Sequence, residues 1–389
     1  MKNLFSIFNQ FFLLGLISFG GPAAHLGYFQ RTFVEKLNWL SAKEYAQLVA
    51  LSQFLPGPAS SQTGFAIGLK RGGLLGAIIA FVAFTLPSFL LMLALVLFSH
   101  QISESLFLSL ASGLTLFAIV VIADAVLTMS KSFCQQMISK VILFITVLAL
   151  ITMPSLMMQL GLLVFAAIMG AAFLNKSPRQ EAAQSNALKQ INSVYLLAFA
   201  LLLLVVSWLS NQSTELALFN QFFQAGSLVF GGGHVVLPML APTVIPVIGQ
   251  ETFMTGYAAA QAVPGPMFTM ATYIGAQMTQ APFTGAFIAT IAVFLPGFLL
   301  ILAFYNSWQS LMAKPKLSAA IAGVNSAVVG LLLATLIGSV IPHAITSVQT
   351  QIMDILMVIS GLLVLRVYKA PVLLLIAVFT AYSLLPALI

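Results

Sequence analysis

Long runs of hydrophobic residues alternate with short polar stretches along the chain. Four runs are near or above about 20 residues, the length with which an α-helix crosses a bilayer; they are residues 73–98, 105–129, 282–306 and 317–341. Other apolar stretches lie at about 4–19, 139–153, 156–174 and 194–210. The sequence lacks the short alternating segments of an outer-membrane barrel. The pattern therefore predicts an all-α polytopic membrane protein.

The helical pattern is interrupted twice by the same motif. Gln53 to Pro58 reads Gln-Phe-Leu-Pro-Gly-Pro, and Gln261 to Pro266 reads Gln-Ala-Val-Pro-Gly-Pro. Proline cannot donate a backbone hydrogen bond and disfavours helical geometry in the preceding residue, so two prolines around a glycine end a helix. Because lipid cannot satisfy the freed backbone groups, such a break is tolerated only where it is buried in protein or lines a wet cavity.

Helix boundaries around the first break can be predicted. Ser41 and Glu44 have the spacing of a capping box, which predicts a helix that starts at Ser41. That helix runs into Pro56-Gly57-Pro58, and its continuation ends at Lys70-Arg71-Gly72-Gly73. A longer helix with Leu86-Pro87 inside it follows.

Four landmarks of the first half recur in the second half. They are Phe19-Gly20-Gly21 with Phe230-Gly231-Gly232, Gln53 to Pro58 with Gln261 to Pro266, Leu86-Pro87 with Leu295-Pro296, and Gly113 with Gly323. The offsets are 211, 208, 209 and 210 residues. A register this constant indicates a duplication. We expect one repeat at 1–175, a polar cytoplasmic linker at 176–193, and a second repeat at 194–389.

Matching loops of the two repeats differ in charge. In the first repeat Lys70 and Arg71 lie in a loop whose counterpart in the second repeat, residues 279–282, is uncharged. The reverse holds for Lys314 and Lys316 of the second repeat, whose counterpart in the first repeat, residues 99–104, has no Lys or Arg. Since short cytoplasmic loops collect Lys and Arg, the two repeats should have inverted topology, with the N-terminus inside and the C-terminus outside.

The number of crossings depends on the Pro-Gly-Pro-broken helices. If each crosses once, each half crosses about six times and the span at 194–210 makes about thirteen. Arg31, Lys36 and Lys43 would then lie outside, against the charge rule. Re-entrant broken helices would remove that conflict, but they would disturb the odd number of crossings that inverts the second half. The sequence leaves both arrangements open.

Composition and charge exclude several function classes. The chain is 60% hydrophobic and 6% charged, with a mean hydropathy of +1.07, as in integral membrane proteins. The net charge of +7 is explained by loop Lys and Arg, and no basic groove indicates nucleic-acid binding. Cys134 is the sole cysteine, so no intramolecular disulfide can form. The scattered histidines and acids predict no cofactor, no metal site and no enzyme, and no P-loop is present.

Several of these motifs carry a family resemblance. They are Phe19 to His25 (Phe-Gly-Gly-Pro-Ala-Ala-His), Trp39-Leu40-Ser41, Gln53 to Pro58, and Leu86-Pro87. With them the chain resembles the chromate transporter family in its long form with two fused halves. The resemblance implies a bacterial inner-membrane anion transporter linked to chromate efflux, with sulfate as the look-alike ion. The second half departs from the pattern, because His234 is shifted relative to His25.

Tetrahedral dianions such as chromate and sulfate need several donors and little bulk. The helix that starts after each break offers unpaired N–H groups and a positive dipole end, and glycines allow close backbone approach. The predicted substrate-binding residues are Gly20, Gly21, His25, Arg31, Gln53, Pro56, Gly57, Pro58, Ser60, Gln62, Thr63, Arg71, Gly231, Gly232, His234, Gln261, Pro264, Gly265, Pro266 and Thr269.

Each of these assignments has a structural alternative. Glycine and proline also serve packing in membrane helices, Arg71 can be a topology anchor, and His25 can be an ordinary loop residue. Because no Lys or Arg lies between Lys189 and Lys314, any full cation must come from the first half. Asp124 and Glu44 are the candidate proton-coupling acids, although Asp124 can also lie near the lipid headgroups.

These observations predict a secondary active transporter of tetrahedral oxyanions. Its expected role is chromate efflux across the inner membrane, with sulfate as analogue or counter-substrate. The alternatives are an anion channel, which stoichiometric coupling would distinguish, and a sulfate transporter without a chromate role. The expected partners are the anion and the lipid bilayer but not nucleic acid. A homodimer is compatible with the sequence, which does not indicate an oligomeric state.

Overall fold

The structure is a computed structural model that describes residues 2–19, 21–99, 104–153, 155–174, 191–230, 233–307, 314–341 and 352–388. Every regular element in these ranges is helical. Five helices are long and apolar enough to cross a membrane by length and composition. The predicted all-α polytopic class is therefore confirmed.

The helices of the first half follow the predicted boundaries closely. They are α1 (Lys2–Ile17), α2 (Gly21–Phe29, continued by a π-helical segment, Gln30–Lys36), α3 (Ala42–Phe54), α4 (Ala59–Ser99), α5 (Glu104–Phe133), α6 (Met137–Thr152) and α7 (Leu156–Phe173). α4 contains a second break at Gly72 and Gly73, where Gly73 has a φ of 63°.

The same order of helices recurs in the second half. After α8 (Ser193–Leu209) come α9 (Thr214–Leu228), α10 (Val236–Ile248), α11 (Gln250–Ala262), α12 (Met270–Gln277), α13 (Pro282–Phe304), α14 (Pro315–Thr335), α15 (Ile352–Val367) and α16 (Val372–Leu388). α12 and α13 together correspond to the two parts of α4, and α8 has no counterpart. This order agrees with a duplication, while the exact repeat boundaries stay a prediction.

The capping box at the start of α3 forms as predicted. The Ser41 N–H donates to Glu44 Oε2 at 2.8 Å, and the Glu44 N–H donates to Ser41 Oγ at 3.3 Å. Both broken helices end where the Pro-Gly-Pro motifs predict: the backbone turns extended at Leu55 (φ −81°, ψ 149°) and at Val263 (φ −86°, ψ 147°).

The first broken helix folds back on itself. Near the start of α3, Glu44 forms an ion pair with Lys70, which lies near the end of the first part of α4. The Arg71 guanidinium stacks on Trp39 at 5.0 Å from the ring centroid. α3 is 13 residues long, or about 20 Å, and cannot cross a hydrocarbon core of about 30 Å. A single crossing through this break, and with it the count of about thirteen, is therefore wrong.

The second broken helix has the same form. A Cβ on Gly256 of α11 would lie 2.6 Å from the Tyr273 ring of α12, so these helices run back alongside each other from the Pro-Gly-Pro motif between them. α1 and α2 make a further hairpin, because the Phe11 ring contacts Phe29 at 5.7 Å and Phe33 at 4.8 Å. In the second half α9 and α10 also pack on each other, so each half contains two helical hairpins.

Re-entrant hairpins remove the conflict in the charge pattern. The start of α1 lies against the Gly72 break, where a Cβ would be 2.9 Å from Ile7 Cδ1. Both hairpins of the first half therefore open at one end of the molecule, which we call the first mouth. Its charged residues are Arg31, Glu35, Lys36, Lys43, Glu44, Lys70 and Arg71.

The equivalent long helices of the two halves run in opposite directions. The Phe81 ring of α4 packs at an angle against Phe294 and Phe298 of α13, with centroids 5.1 and 4.8 Å away. Phe89, further along α4, meets Phe283 at the start of α13 at 6.3 Å. This antiparallel contact supports inverted topology, which stays a prediction.

The number of crossings can be counted again with these helices. About nine result if one crossing is made by each of the second part of α4, α5 to α8, and α13 to α16. The termini then still lie on opposite faces.

The two halves interlock through close glycine contacts. α5 packs against α15 and α16 of the second half, and α14 packs against α6 and α7 of the first. A Cβ on Gly113 of α5 would lie 2.6 Å from the Phe379 carbonyl oxygen, and one on the aligned Gly323 of α14 would lie 2.0 Å from that of Ala166. Small residues let helix backbones approach this closely. Neither half can complete its packing alone.

Cysteine accessibility tests the inversion. In a Cys134→Ala background, Lys70→Cys and Gln280→Cys should react with membrane-impermeant reagents added to opposite faces. Glu44→Cys is the matched control, because the re-entrant hairpin places it on the face of residue 70. Labelling of residues 70 and 280 from one face would contradict inverted topology.

Candidate functional site

The two Pro-Gly-Pro tips dock reciprocally between the halves. The Gly57 N–H donates to the Val229 carbonyl at the end of α9, at 2.7 Å, and the Gly265 N–H donates to the Ser18 carbonyl just after α1, at 2.9 Å. Ser18 and Val229 are aligned positions in the repeat, 211 residues apart. Each tip therefore closes on the first helix of the other half, and the free backbone groups of each break gain partners.

Glycine is required at both tips. Gly57 and Gly265 have φ values of 127° and 106°, which side chains rarely adopt. A Cβ on Gly57 would also lie 3.0 Å from Gly297 Cα, and one on Gly265 would lie 2.8 Å from Ser88 Oγ. Gly297 and Ser88 are again aligned positions. The tips are thus pressed against the middle of α13 and α4.

A polar centre lies beside the Gly265 tip. Nε2 of the fully buried His25 is 3.2 Å from the Ser18 carbonyl oxygen, and Nδ1 is 3.4 Å from Ser60 Oγ. Since a carbonyl only accepts, Nε2 carries the proton and the Ser60 hydroxyl donates to Nδ1. We call Ser18, His25 and Ser60 the polar centre. It joins the end of α1 to the first turn of α4.

The first turn of α4 is buried next to this centre. Its first N–H groups have no intrahelical acceptor, and Ser60, Ser61, Gln62 and Thr63 are each at most 4% exposed. The Thr63 hydroxyl donates to the Ala59 carbonyl of its own helix at 2.8 Å. The Gln62 amide group bridges the halves, because Nε2 donates to the carbonyls of Pro56 and Gly297 at 2.9 and 3.2 Å. The predicted donors after the first break are therefore brought together.

Four buried polar atoms around the first break have no hydrogen-bond partner within the described part of the chain. They are Ser18 Oγ, Ser61 Oγ, Gln62 Oε1 and Thr85 Oγ1. Buried polar groups are normally paired, so such a cluster calls for a ligand or water. Three of the four are hydroxyls, which donate readily to an anion. Ser18 and Thr85 were missed in the sequence, although Ser18 directly precedes the repeated Phe-Gly-Gly landmark.

Two threonine hydroxyls after the second break are already engaged, whereas the buried Tyr273 hydroxyl of α12 has no partner within the described part of the chain. The Thr269 hydroxyl donates to the Pro266 carbonyl at 2.7 Å, and Thr272 shares a hydrogen bond with Thr290 at 2.8 Å. Both donors are thus engaged within the second half.

The second histidine belongs to a different group. His234 Nδ1 is 2.7 Å from the Tyr257 hydroxyl, and Gln261 Nε2 donates to Met267 Sδ at 2.7 Å. His234 therefore pairs with α11, whereas His25 pairs with Ser60 of α4. The shift seen in the sequence corresponds to a different set of contacts.

Some predicted binding residues lie away from the tips. Arg31 and Arg71 are exposed at the first mouth, and Gln53 is exposed although its counterpart Gln261 is buried. Of the motif prolines, Pro58, Pro264 and Pro266 are buried and Pro56 is half-buried. Gly21 begins α2 with a φ of 77°. Gly20, Gly231 and Gly232 lie outside the described residues.

The two candidate coupling acids each have a cationic partner. Asp124 Oδ1 of α5 is 3.7 Å from Arg366 Nε of α15, which links the two halves. The hydrogen bond from Lys70 lowers the pKa of the exposed Glu44 to about 2. Glu44 therefore stays ionised near neutral pH in this conformation, which disfavours proton exchange there. Proton coupling through either acid stays a prediction.

Comparison with known proteins gives one family. The family model described as "Chromate transporter" matches residues 5–174 and 216–384, one range in each half. The chain is 30% identical over 340 residues to a "Chromate transport protein" of Pseudomonas aeruginosa, covering 85% of this chain and 80% of that protein. It is 30% identical over 334 residues to a "Probable chromate transport protein" of Synechococcus elongatus, covering 83% and 81%.

A shorter relative matches about half of the chain. The "Uncharacterized transporter YwrA" of Bacillus subtilis is 27% identical over 167 residues, which are 42% of this chain and 92% of that protein. A protein little longer than one repeat of this chain thus exists by itself. No solved structure matches the chain.

Substitution at the tips tests their closure. Gly57→Ala and Gly265→Ala should each lower the transport rate at least tenfold, because a positive φ costs about 1–3 kcal/mol and the new methyl group would clash across the halves. Gly249→Ala is the matched control: Gly249 has a φ of 81°, but a Cβ there meets no atom within 4 Å. Equal losses in all three variants would show that backbone strain, rather than closure of the tips, is responsible.

Proposed function

The chain belongs to the chromate transporter family, and from that premise we propose that it is a secondary active transporter that exports chromate. Chromate is a tetrahedral dianion whose oxygens accept hydrogen bonds. Sulfate has the same shape and charge, and we propose it as analogue or counter-substrate. The proposed location is the bacterial inner membrane, with the fifteen Lys and Arg residues biased to the cytoplasmic face.

One observation carries this proposal. The first turn of α4 lies buried between the two halves, and the hydroxyls of Ser18, Ser61 and Thr85 beside it have no hydrogen-bond partner among the described residues. The first N–H groups of a helix also have no intrahelical acceptor. Backbone donors and the positive end of a helix dipole favour an anion without needing a buried cation. Broken helices that meet inside an inverted repeat are the usual substrate site of secondary transporters.

The reciprocal hydrogen bonds at the tips support an alternating mechanism. Both tips are closed in this structure, so an anion can reach the first turn of α4 only when one re-entrant pair moves away from the other half. In inverted repeats the two hairpin pairs open toward opposite faces. Opening one pair while the other stays docked would expose the site to one face at a time.

The charges at the two mouths support export. The first mouth carries five Lys and Arg residues and two Glu residues. In the second half the corresponding hairpin ends carry Glu215 and Glu251, and no Lys or Arg occurs from 190 to 313. A positive mouth concentrates a dianion and raises its association rate, whereas a negative mouth favours its departure. With the positive mouth on the cytoplasmic face, chromate would enter there.

Loss of one donor should weaken substrate binding. In proteoliposomes, Ser61→Ala should raise the KM for chromate by roughly 5- to 150-fold, because an unmade hydrogen bond to a buried partner costs about 1–3 kcal/mol. Thr63→Ala is the control in the same turn, since the Thr63 hydroxyl is bonded to its own helix, and it should stay within about twofold. Similar KM values for both variants and the unchanged protein would count against a site at this turn.

Imposed gradients separate a transporter from a channel. Proteoliposomes loaded with sulfate, or given a proton gradient, should accumulate radiolabelled chromate above its external concentration. A channel would only equilibrate chromate with the membrane potential. Glu44→Gln tests the coupling assignment, because a proton-carrying Glu44 would make accumulation independent of the proton gradient in this variant.

A further inference from the structure

We propose that the polar centre of Ser18, His25 and Ser60 is the single oxyanion site of the chain, and that the equivalent centre of the second half is an apolar seat that binds no anion. The inference rests on the proposed function, because it specifies where and in what number the transported dianion binds. It follows from a comparison of the two tips residue by residue.

The backbone arrangement is the same at both tips. The Gly265 N–H donates to the Ser18 carbonyl, and the Gly57 N–H donates to the Val229 carbonyl. Both acceptors lie at the end of the first helix of the other half. Each tip also presses on the middle of a long helix, at Ser88 and at Gly297. A backbone-only anion site would therefore be present twice.

The side chains around the two tips are opposite in character. The repeat offsets align Ser18 with Val229, His25 with Val236, Ser60 with Phe268, Gln62 with Met270, and Thr85 with Phe294. Every hydrogen-bonding side chain of the first set is replaced by an apolar one in the second. All five apolar residues are at most 2% exposed. We call Val229, Val236 and Phe268 the apolar seat.

Aromatic packing occupies the second position. The Phe268 ring lies 5.9 Å from the Phe294 ring, which in turn stacks on Phe298 at 6.0 Å. Such a cluster gains from burial and offers no donor. A desolvated dianion placed there would lose its hydration without compensation, which is strongly unfavourable.

The hydroxyl of the second half that aligns with Ser61, next to the polar centre, is already engaged and cannot donate to an anion. Thr269 aligns with Ser61, but its hydroxyl donates to the Pro266 carbonyl, whereas Ser61 Oγ has no partner among the described residues. At this aligned pair the donor is therefore unsatisfied in the first half and satisfied in the second.

The buried Thr255 and Tyr273 hydroxyls of α11 and α12 also lack a partner among the described residues. They align with Gln47 and Phe65, however, and not with the polar centre.

His25 acts in this centre as a positioning residue. Its Nε2–H engages the Ser18 carbonyl, which also accepts from Gly265, and its Nδ1 holds the Ser60 hydroxyl. The ring thereby fixes the end of α1 against the first turn of α4. His234 does not replace it, since that ring pairs with Tyr257.

Binding stoichiometry is the direct test. Purified full-length protein in lipid nanodiscs, titrated with radiolabelled chromate or sulfate, should bind one dianion per chain at saturation. Two equivalent dianions per chain would overturn the single-site inference while leaving the transport function intact. No oxyanion binding together with no transport would instead remove the proposed function.

Paired substitutions at aligned positions test where the dianion sits. Ser18→Ala and Ser61→Ala should each weaken binding about tenfold, because both hydroxyls lack a partner among the described residues, while the aligned Val229→Ala and Thr269→Ala should stay within about twofold of the unchanged protein. Equal weakening in both pairs, measured on monodisperse samples, would overturn the assignment. Because stoichiometry is measured on the unchanged protein, the test stands even if a variant fails to fold.

The role of His25 has its own pair of variants. His25→Gln can still donate to the Ser18 carbonyl and accept from Ser60, so it should bind the dianion within about threefold of the unchanged protein. His25→Val, which introduces the residue found in the apolar seat, should lose about tenfold or more. Equal affinity of the two variants would contradict the positioning role.

Discussion

Backbone groups that are freed inside a membrane must find partners in the protein, and this constraint organises the whole molecule. Each Pro-Gly-Pro motif leaves such groups at the tip of a hairpin about 20 Å deep. The hydrogen bonds from Gly57 to Val229 and from Gly265 to Ser18 satisfy them by joining one half to the other. The positive φ of both glycines, the close approach of α4 and α13, and the burial of the first turn of α4 all accompany that pairing.

The sequence predicts local structure well here because the signals are local. The capping box at Ser41, the helix ends at Leu55 and Val263, and the constant repeat offset depend on short stretches whose chemistry leaves few alternatives. The first turn of α4 could be predicted as a donor site because proline and glycine define where a helix begins, and its binding of an anion stays a prediction. Its hydroxyls are indeed buried together.

Tertiary contacts could not be predicted in the same way. Whether α3 crosses or returns depends on the pairing of Glu44 with Lys70, residues 26 positions apart. Ser18 and Thr85 join the site because α1 packs against the second part of α4, and Asp124 is paired with a cation from the other half, Arg366. Gln53 and Gln261 occupy identical places in the motif but differ in burial. Duplication preserves the backbone more strictly than the environment of each side chain.

The interlocked packing of the halves sets the order in which this protein can mature. α5 needs α15 and α16 to cover its face at Gly113, and these helices leave the ribosome about 220 to 250 residues after it. At a synthesis rate of about 5–20 residues per second, α5 waits on the order of 10 to 50 seconds for them. During that interval the face of α5 around Gly113 lacks its partner helix, although α11 and α14, which also pack on α5, are made earlier. Biogenesis, rather than the finished fold, is therefore the stage at which this chain is most exposed to misassembly and to degradation.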